Sequence, residues 1–250
     1  MASRKTMTKN KNIPAPPGEG FSLIPNTRLL ALYAAMAQAR AVAEKSRAEL
    51  PRQRVPKSSH FLDSILGHEA AVAGAAIDLK AHDTLVPTLW PDGALKAINS
   101  SVSVAPTLSA AIRSALAQKN NRQITLIFSS AKSSAQPAWH KALTVAAENR
   151  LPILFLSLNY SSSPPSSQAP FLKPEHLPVI TVDGNDVVAV YRVATESMTY
   201  ARKGRGPTLI DCSLSIPGDP LKNMEQYLAL KGLRPTELLH RNSKNGVVAR

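Results

Sequence analysis

Residues 124–160 read ITLIFSSAKSSAQPAWHKALTVAAENRLPILFLSLNY, and this stretch decides the fold. ITLIF is a short apolar run, closed by the polar stretch SSAKSSAQ. PAWHKALTVAAEN follows as a helix, with Pro137 in the first turn, where a missing N–H costs nothing. ILFLSL is the second apolar run, so the segment is a strand–loop–helix–strand unit with a parallel pair of strands. In an open parallel sheet, ligands sit beyond the carboxyl ends of the strands. The spacing places Ser129–Ala135 and Asn159–Ser163 after the two strands, with a candidate pocket between them. The first of these loops contains neither glycine nor carboxylate.

The same alternation continues outward. VITVDG (179–184) is a further strand, NDVVAVYRVATESMTYARKG (185–204) a long amphipathic helix, and PTLIDCSLS (207–215) another strand. Upstream, PNTRLLALYAAMAQARAVAEKSRAEL (25–50) has Leu29, Leu32, Tyr33 and Met36 at helical spacing, and Pro51 ends it. GHEAAVAGAAIDLKAHD (67–83) is a small-residue helix in which Ala71, Gly74 and Ala75 admit a close neighbour. DTLVPTLWPDGALKAI (83–98) reads as strand, turn and helix, and SVSVAPTLSAAIRSALAQKNNRQ (101–123) as a helix with a polar end. Apolar strands alternating with helices predict an α/β fold: a doubly wound, mainly parallel sheet with helices on both faces, plus an N-terminal helix.

The chain has 250 residues and a formal net charge of +13. Residues 1–60 carry 11 basic and 3 acidic side chains, residues 231–250 carry 5 and 1, and residues 61–230 carry 14 and 13. The excess charge therefore sits toward the ends, and the expected organisation is a basic tail (1–24), one domain (25–234) and a second basic tail (235–250). Neither a helix-turn-helix nor an aromatic-and-basic RNA motif is visible, so nucleic acid is not the expected partner. No run of 18 apolar residues predicts a membrane span, and the N-terminal basic stretch lacks the apolar run of a secretory signal. Cys212 is the only cysteine, which excludes an internal disulfide and suits a cytoplasmic location.

Five blocks, in order over about residues 25–234, resemble one family: the alpha subunit of the thiamine-diphosphate-dependent dehydrogenase component of 2-oxo acid dehydrogenase complexes, of pyruvate and branched-chain type. They are LLALYAAMAQAR, GHEAAVAGAAIDLKAHDTLVP, HKALTVAAENRLPILFLSLN, VDGNDVVAVYRVATESMTYARKGRGPTLIDC and DPLKNMEQYLALKGL. The resemblance implies the thiamin-diphosphate-binding fold, a beta-type partner subunit or self-association, and thiamine diphosphate held through magnesium.

The departures fall on the cofactor's own ligands. In the family a G-D-G turn supplies an aspartate to magnesium and N-N supplies an asparagine. Here Ser130-Ala131-Lys132 and Asn159-Tyr160 stand in those places. The arginine of the family's Y-R-D-H-G is absent from the aligned Leu89-Trp90-Pro91-Asp92-Gly93. The segment bearing the catalytic-loop histidine is deleted between Ser100 and Pro106, and G-G-H-S is shortened to SIPGDP. Magnesium depends on anionic oxygen ligands. Two like charges about 4 Å apart at an effective dielectric near 20 repel by roughly 4 kcal/mol, about a thousandfold in affinity, so Lys132 in place of a carboxylate is costly.

The expectation is therefore an alpha-subunit-like protein without thiamine diphosphate or magnesium, with no catalytic residue and no metal ligand, acting as a structural or regulatory subunit. Whether the chain is an enzyme stays open. The alternative is active oxidative decarboxylation of a 2-oxo acid, which needs a carboxylate and an arginine from elsewhere; the sequence offers no obvious donor. A further alternative is a basic nucleic-acid-associated protein. Lys132 and Ser133, with Asn159, are the candidate cofactor-site residues: the loop opens toward a helix N-terminus and could hold an anion without metal, or it is a plain polar loop. His68 and Glu69 read as packing or contact groups, His140 as a satisfied, partly buried histidine, Asp183 as the cap of the turn before the long helix with Asp186 in that helix's first turn, Ser161–Ser167 as a linker, and Cys212 as buried and inert.

Overall fold

A computed structural model describes residues 24–49, 66–86, 98–130, 136–160, 174, 177–215 and 218–234. The elements are α1 (Asn26–Glu49), α2 (Glu69–Ala76), β1 (Thr84–Val86), β2 (Ser103–Val104), α3 (Leu108–Ala117), β3 (Thr125–Ser130), α4 (Pro137–Glu148), β4 (Ile153–Tyr160), β5 (Val179–Asp183), α5 (Val187–Arg202), β6 (Thr208–Leu214) and α6 (Pro220–Leu230). Six strands form one sheet in the order β2-β1-β3-β4-β6-β5. Every pair is parallel. This is the expected doubly wound α/β architecture, with α1 as the extra N-terminal helix.

The apolar spacing read from the sequence is the spacing that is buried. Leu29, Leu32, Tyr33 and Met36 all face the core. They join α2, α5 and α6 on one face of the sheet, against Phe128, Leu158 and Cys212. On the other face α3 and α4 cover Ile127, Phe155 and Leu209, with the Trp139 ring set edge-on to Phe155 at 5.1 Å. Each fully buried Leu or Phe contributes about 1.5–3 kcal/mol, so both layers matter to stability. Gly74 explains why α2 is built from small residues: a Cβ there would lie 3.0 Å from the Val190 Cβ and 3.1 Å from the Tyr191 nitrogen.

Three expectations need correction. Residues 103–104 form an edge strand on β1, so the stretch read as one helix is a strand followed by α3, which Thr107 caps by accepting from the Ala110 N–H. Asp186, expected inside the first turn of α5, is its cap, with Oδ1 accepting from the Val188 and Ala189 amides, while Asp183 caps the preceding turn as expected by accepting from the Asn185 amide. Ile24, placed in the tail by composition, is buried in the core. The helix expected after β1 falls largely on residues 87–97, outside the described residues.

Candidate functional site at the carboxyl edge of the sheet

Strand alternation and register place the candidate site. Ser129, Ser157, Asp211 and Thr181 lie side by side across β3, β4, β6 and β5; one pleat nearer the carboxyl edge, Asn159, Ser213 and Asp183 form a second row on the same face. The first residues of this face are apolar and sit under α4, so the polar rows begin where the apolar packing stops. Asn159 and Tyr160 are the last two residues of β4, not the start of a loop, and they point to opposite faces.

Asn159 donates its amide N–H groups to the Ser157 hydroxyl at 3.2 Å and to the Asp211 carboxylate. The sequence offered no obvious carboxylate donor for this edge, yet Asp211, from a strand 52 residues away in sequence, stands beside Asn159. Asp211 stands level with Ser157, one pleat below the sheet edge. Burial raises its carboxyl pKa and the Asn159 hydrogen bond opposes that rise.

On the other face, the Tyr160 ring packs against His68, centroids 5.3 Å apart and tilted by 43°. His68 is 2 % exposed, and neither ring nitrogen has a hydrogen-bond partner among the described residues. Burial lowers its pKa to about 4, so the ring is neutral at pH 7. Its neighbour Glu69 is fully buried and satisfied: Arg40 Nε donates to Oε1 at 2.8 Å and the Gly67 amide to Oε2 at 2.9 Å. The same guanidinium reaches Asp219, the α6 cap, at 2.8 Å. Arg40 thus fastens α1 to α2 and α6.

The VDGND stretch serves the fold. A Cβ at Gly184 would lie 2.8 Å from Leu214 Cδ2. Asn185 is buried and donates to the Ser215 hydroxyl at 2.7 Å. A hollow of about 280 Å³ opens beside it, lined by Asp183, Asp186, Asn223 and Tyr227. Its two carboxylates give it the wrong charge for a diphosphate.

Of the sequence-predicted site residues, Asn159 lies at the carboxyl end of β4, whereas Lys132 and Ser133 lie outside the described residues. Glu69 is a packing group as expected, and Cys212 is fully buried, its thiol pKa raised by that burial. Among the described residues no three His, Cys, Asp or Glu side chains gather as a metal set. The bonds from Asn159 to Ser157 and Asp211 use its N–H groups and not the amide oxygen that would meet a metal, and where the resemblance places a second asparagine the side chain is the Tyr160 phenol, packed on His68. Sequence reading missed Asp211 and the Arg40 clamp. The signal for Asp211 was present: polar residues interrupt β4 at 157 and 159 and β6 at 211 and 213, the period of one strand face.

Comparison with known proteins agrees with the resemblance over part of the chain. The sequence model of the family described as dehydrogenase E1 component matches residues 91–214. The alpha subunit of acetoin:2,6-dichlorophenolindophenol oxidoreductase from Bacillus subtilis (strain 168) is 33 % identical over 103 residues, 38 % of this chain and 31 % of that protein. The 2-oxoisovalerate dehydrogenase subunit alpha of the same organism is 34 % identical over 88 residues, 32 % of this chain and 27 % of that one. The 3-methyl-2-oxobutanoate dehydrogenase subunit alpha of Mycobacterium tuberculosis (strain CDC 1551 / Oshkosh) is 36 % identical over 97 residues, 35 % and 26 % of the two chains. The matched region thus spans under a third of each of these relatives. A solved split-gene transketolase, described as an inactive beta4 tetramer, superposes with a TM-score of 0.41 at 15 % identity, covering 61 % of this chain and 52 % of that one. Residues 91–214 are thus similar to the dehydrogenase E1 component family, and the chain resembles the alpha subunits of 2-oxo acid dehydrogenases over part of its length.

Proposed function

We propose that the chain is an alpha-subunit-like component of a 2-oxo acid dehydrogenase assembly that does not hold thiamine diphosphate through magnesium. In this reading it acts as a structural or regulatory subunit in the cytoplasm, beside a beta-type subunit or a second copy of itself. The observation that carries it is Tyr160. At the position where the family places a magnesium-binding asparagine, the side chain is a phenol ring packed on a neutral, buried histidine. Ala131 and Lys132, in place of an aspartate and glycine, support the same reading from sequence. Calorimetric titration of the chain, alone and with a beta-type subunit, is expected to give no magnesium-dependent heat with thiamine diphosphate up to about 1 mM, an affinity worth about 4 kcal/mol. Micromolar, magnesium-dependent binding would falsify the proposal.

Asp211 favours a second reading, in which the chain keeps a metal-dependent site and decarboxylates a 2-oxo acid. It supplies the carboxylate that the sequence did not offer. On that reading Asp211→Asn abolishes magnesium-dependent binding; on ours there is none to abolish. Lys132 and Ser133 remain proposed contacts for an anion bound without metal. Lys132→Ala is expected to remove any phosphate affinity measured by titration, and an unchanged value would make the loop a plain connector.

A further inference from the structure

The opposite edge of the sheet, where the strands begin, carries a cluster of six cations. Three helices run out there: α3 into the turn Lys119–Asn121, α4 at Asn149, and α5 at Lys203. Between them lie two hollows, of about 740 and 270 Å³, and Arg150 lines both. Arg205 stands in the larger hollow, and Lys119, Arg122 and Lys203 in the smaller. Arg202 also lines the smaller one, but it is committed to Asp83 and to the Arg122 carbonyl. The other five cations make no ion pair among the described residues. Glu148 is the one carboxylate among the lining residues.

A helix C-terminus favours a nearby cation, which explains some of this charge without a ligand. It does not explain the backbone. Arg122 and Arg150 have φ of 57° and 49°, the left-handed region that glycine or asparagine ordinarily fills after a helix. A cation elsewhere in the last turn would satisfy the dipole without that strain. Strain retained at a charged, concave surface points to use of the side chain. Gly206, at φ 103°, brings its loop to within 3.5 Å of the Arg150 Cα, measured from where its Cβ would stand, and so holds that arginine in position.

We infer that this edge is a docking groove for an acidic, extended peptide of a partner protein, with carboxylates paired to Arg150, Arg205 and Arg122. Arginine forks pair with carboxylates through two parallel hydrogen bonds. A single-stranded nucleic acid would seek a free aromatic face, but Tyr200, the aromatic residue in the groove, already lies under the Arg205 guanidinium at 5.6 Å. Concave hollows divided by Arg150 suit side chains on a thin strand better than the convex backbone of a duplex.

The test uses the full chain and a fluorescein-labelled 12-residue peptide of alternating Asp and Glu, followed by anisotropy in about 50 mM salt. The double variant Arg150→Gly/Arg205→Ser is expected to weaken binding by about tenfold or more. A tail variant with the same charge change, Lys5→Ser/Lys9→Ser, is expected to change it by less than about twofold. The single variant Arg150→Gly is expected to raise the melting temperature while weakening binding, because glycine takes a positive φ without strain. Four results overturn the inference: no peptide binding, equal loss in the tail variant, tighter binding of a twelve-nucleotide oligothymidylate, or a lower melting temperature for Arg150→Gly. A low-salt oligomer abolished by the double variant would give the groove to a second copy and also overturn it.

Discussion

At the scale of single residues, the buried His68 and the half-buried Asp211 set the expected pH response. His68 has its pKa lowered to about 4 by burial, against 6.5 in an unfolded chain. Between those values the unfolded state holds a proton that the fold does not. Stability is therefore fully present above pH 6.5 and is lost as the pH falls toward 4, by roughly 3 kcal/mol in all. Urea unfolding of His68→Leu at pH 7 and pH 5 is expected to show most of this loss gone, with little change at pH 7. Asp211 works in the opposite sense. Burial raises its pKa, so the fold prefers the neutral carboxyl, and its penalty grows as pH rises from the unfolded value to the raised one. Asp211→Asn keeps an acceptor for Asn159 and is expected to move the urea midpoint up at pH 7. A midpoint that falls would mean that the ionised carboxylate serves the fold.

At the scale of elements, α2 is the piece most tightly constrained. Arg40 compensates the fully buried Glu69, so Arg40→Met leaves an unpaired buried charge and is expected to cost about 3–5 kcal/mol in urea unfolding. Gly74→Val forces a side chain onto Val190 and is expected to cost about 1–3 kcal/mol or more, read as a lower thermal midpoint. Helices and inner strands were legible from sequence because their apolar spacing is local information. Leu29, Leu32, Tyr33 and Met36 declare one face without reference to anything else. β2 was not legible: two exposed residues have no pattern, and only pairing with β1 makes them a strand. The candidate site was half legible. Asn159 is a strand end and could be placed, but its meeting with Asp211 depends on β6 lying next to β4, a choice of strand order that no local pattern encodes.

At the scale of the whole molecule, near-neutrality over residues 61–230 conceals a separation. Asp183, Asp186, Asp211 and Asp219 lie along the carboxyl side of the sheet, and Lys119, Arg122, Arg150, Lys203 and Arg205 along the amino side. Summed charge hides this because the loops of a parallel sheet alternate between its two edges. Deleting residues 1–23 and 235–250 is expected to shift cation-exchange elution while leaving the thermal midpoint within about 2 °C, since the core runs from Ile24 to Leu228. A midpoint lowered by much more would bring those ends into the fold. Trp139, edge-on to Phe155 and 2 % exposed, gives such experiments a built-in optical probe. The chain has two tryptophans, Trp90 and Trp139. With Trp90 replaced by phenylalanine, the remaining indole is expected to emit in the blue while α4 stays seated and to shift red when water reaches it, so one fluorescence trace follows the detachment of a single layer.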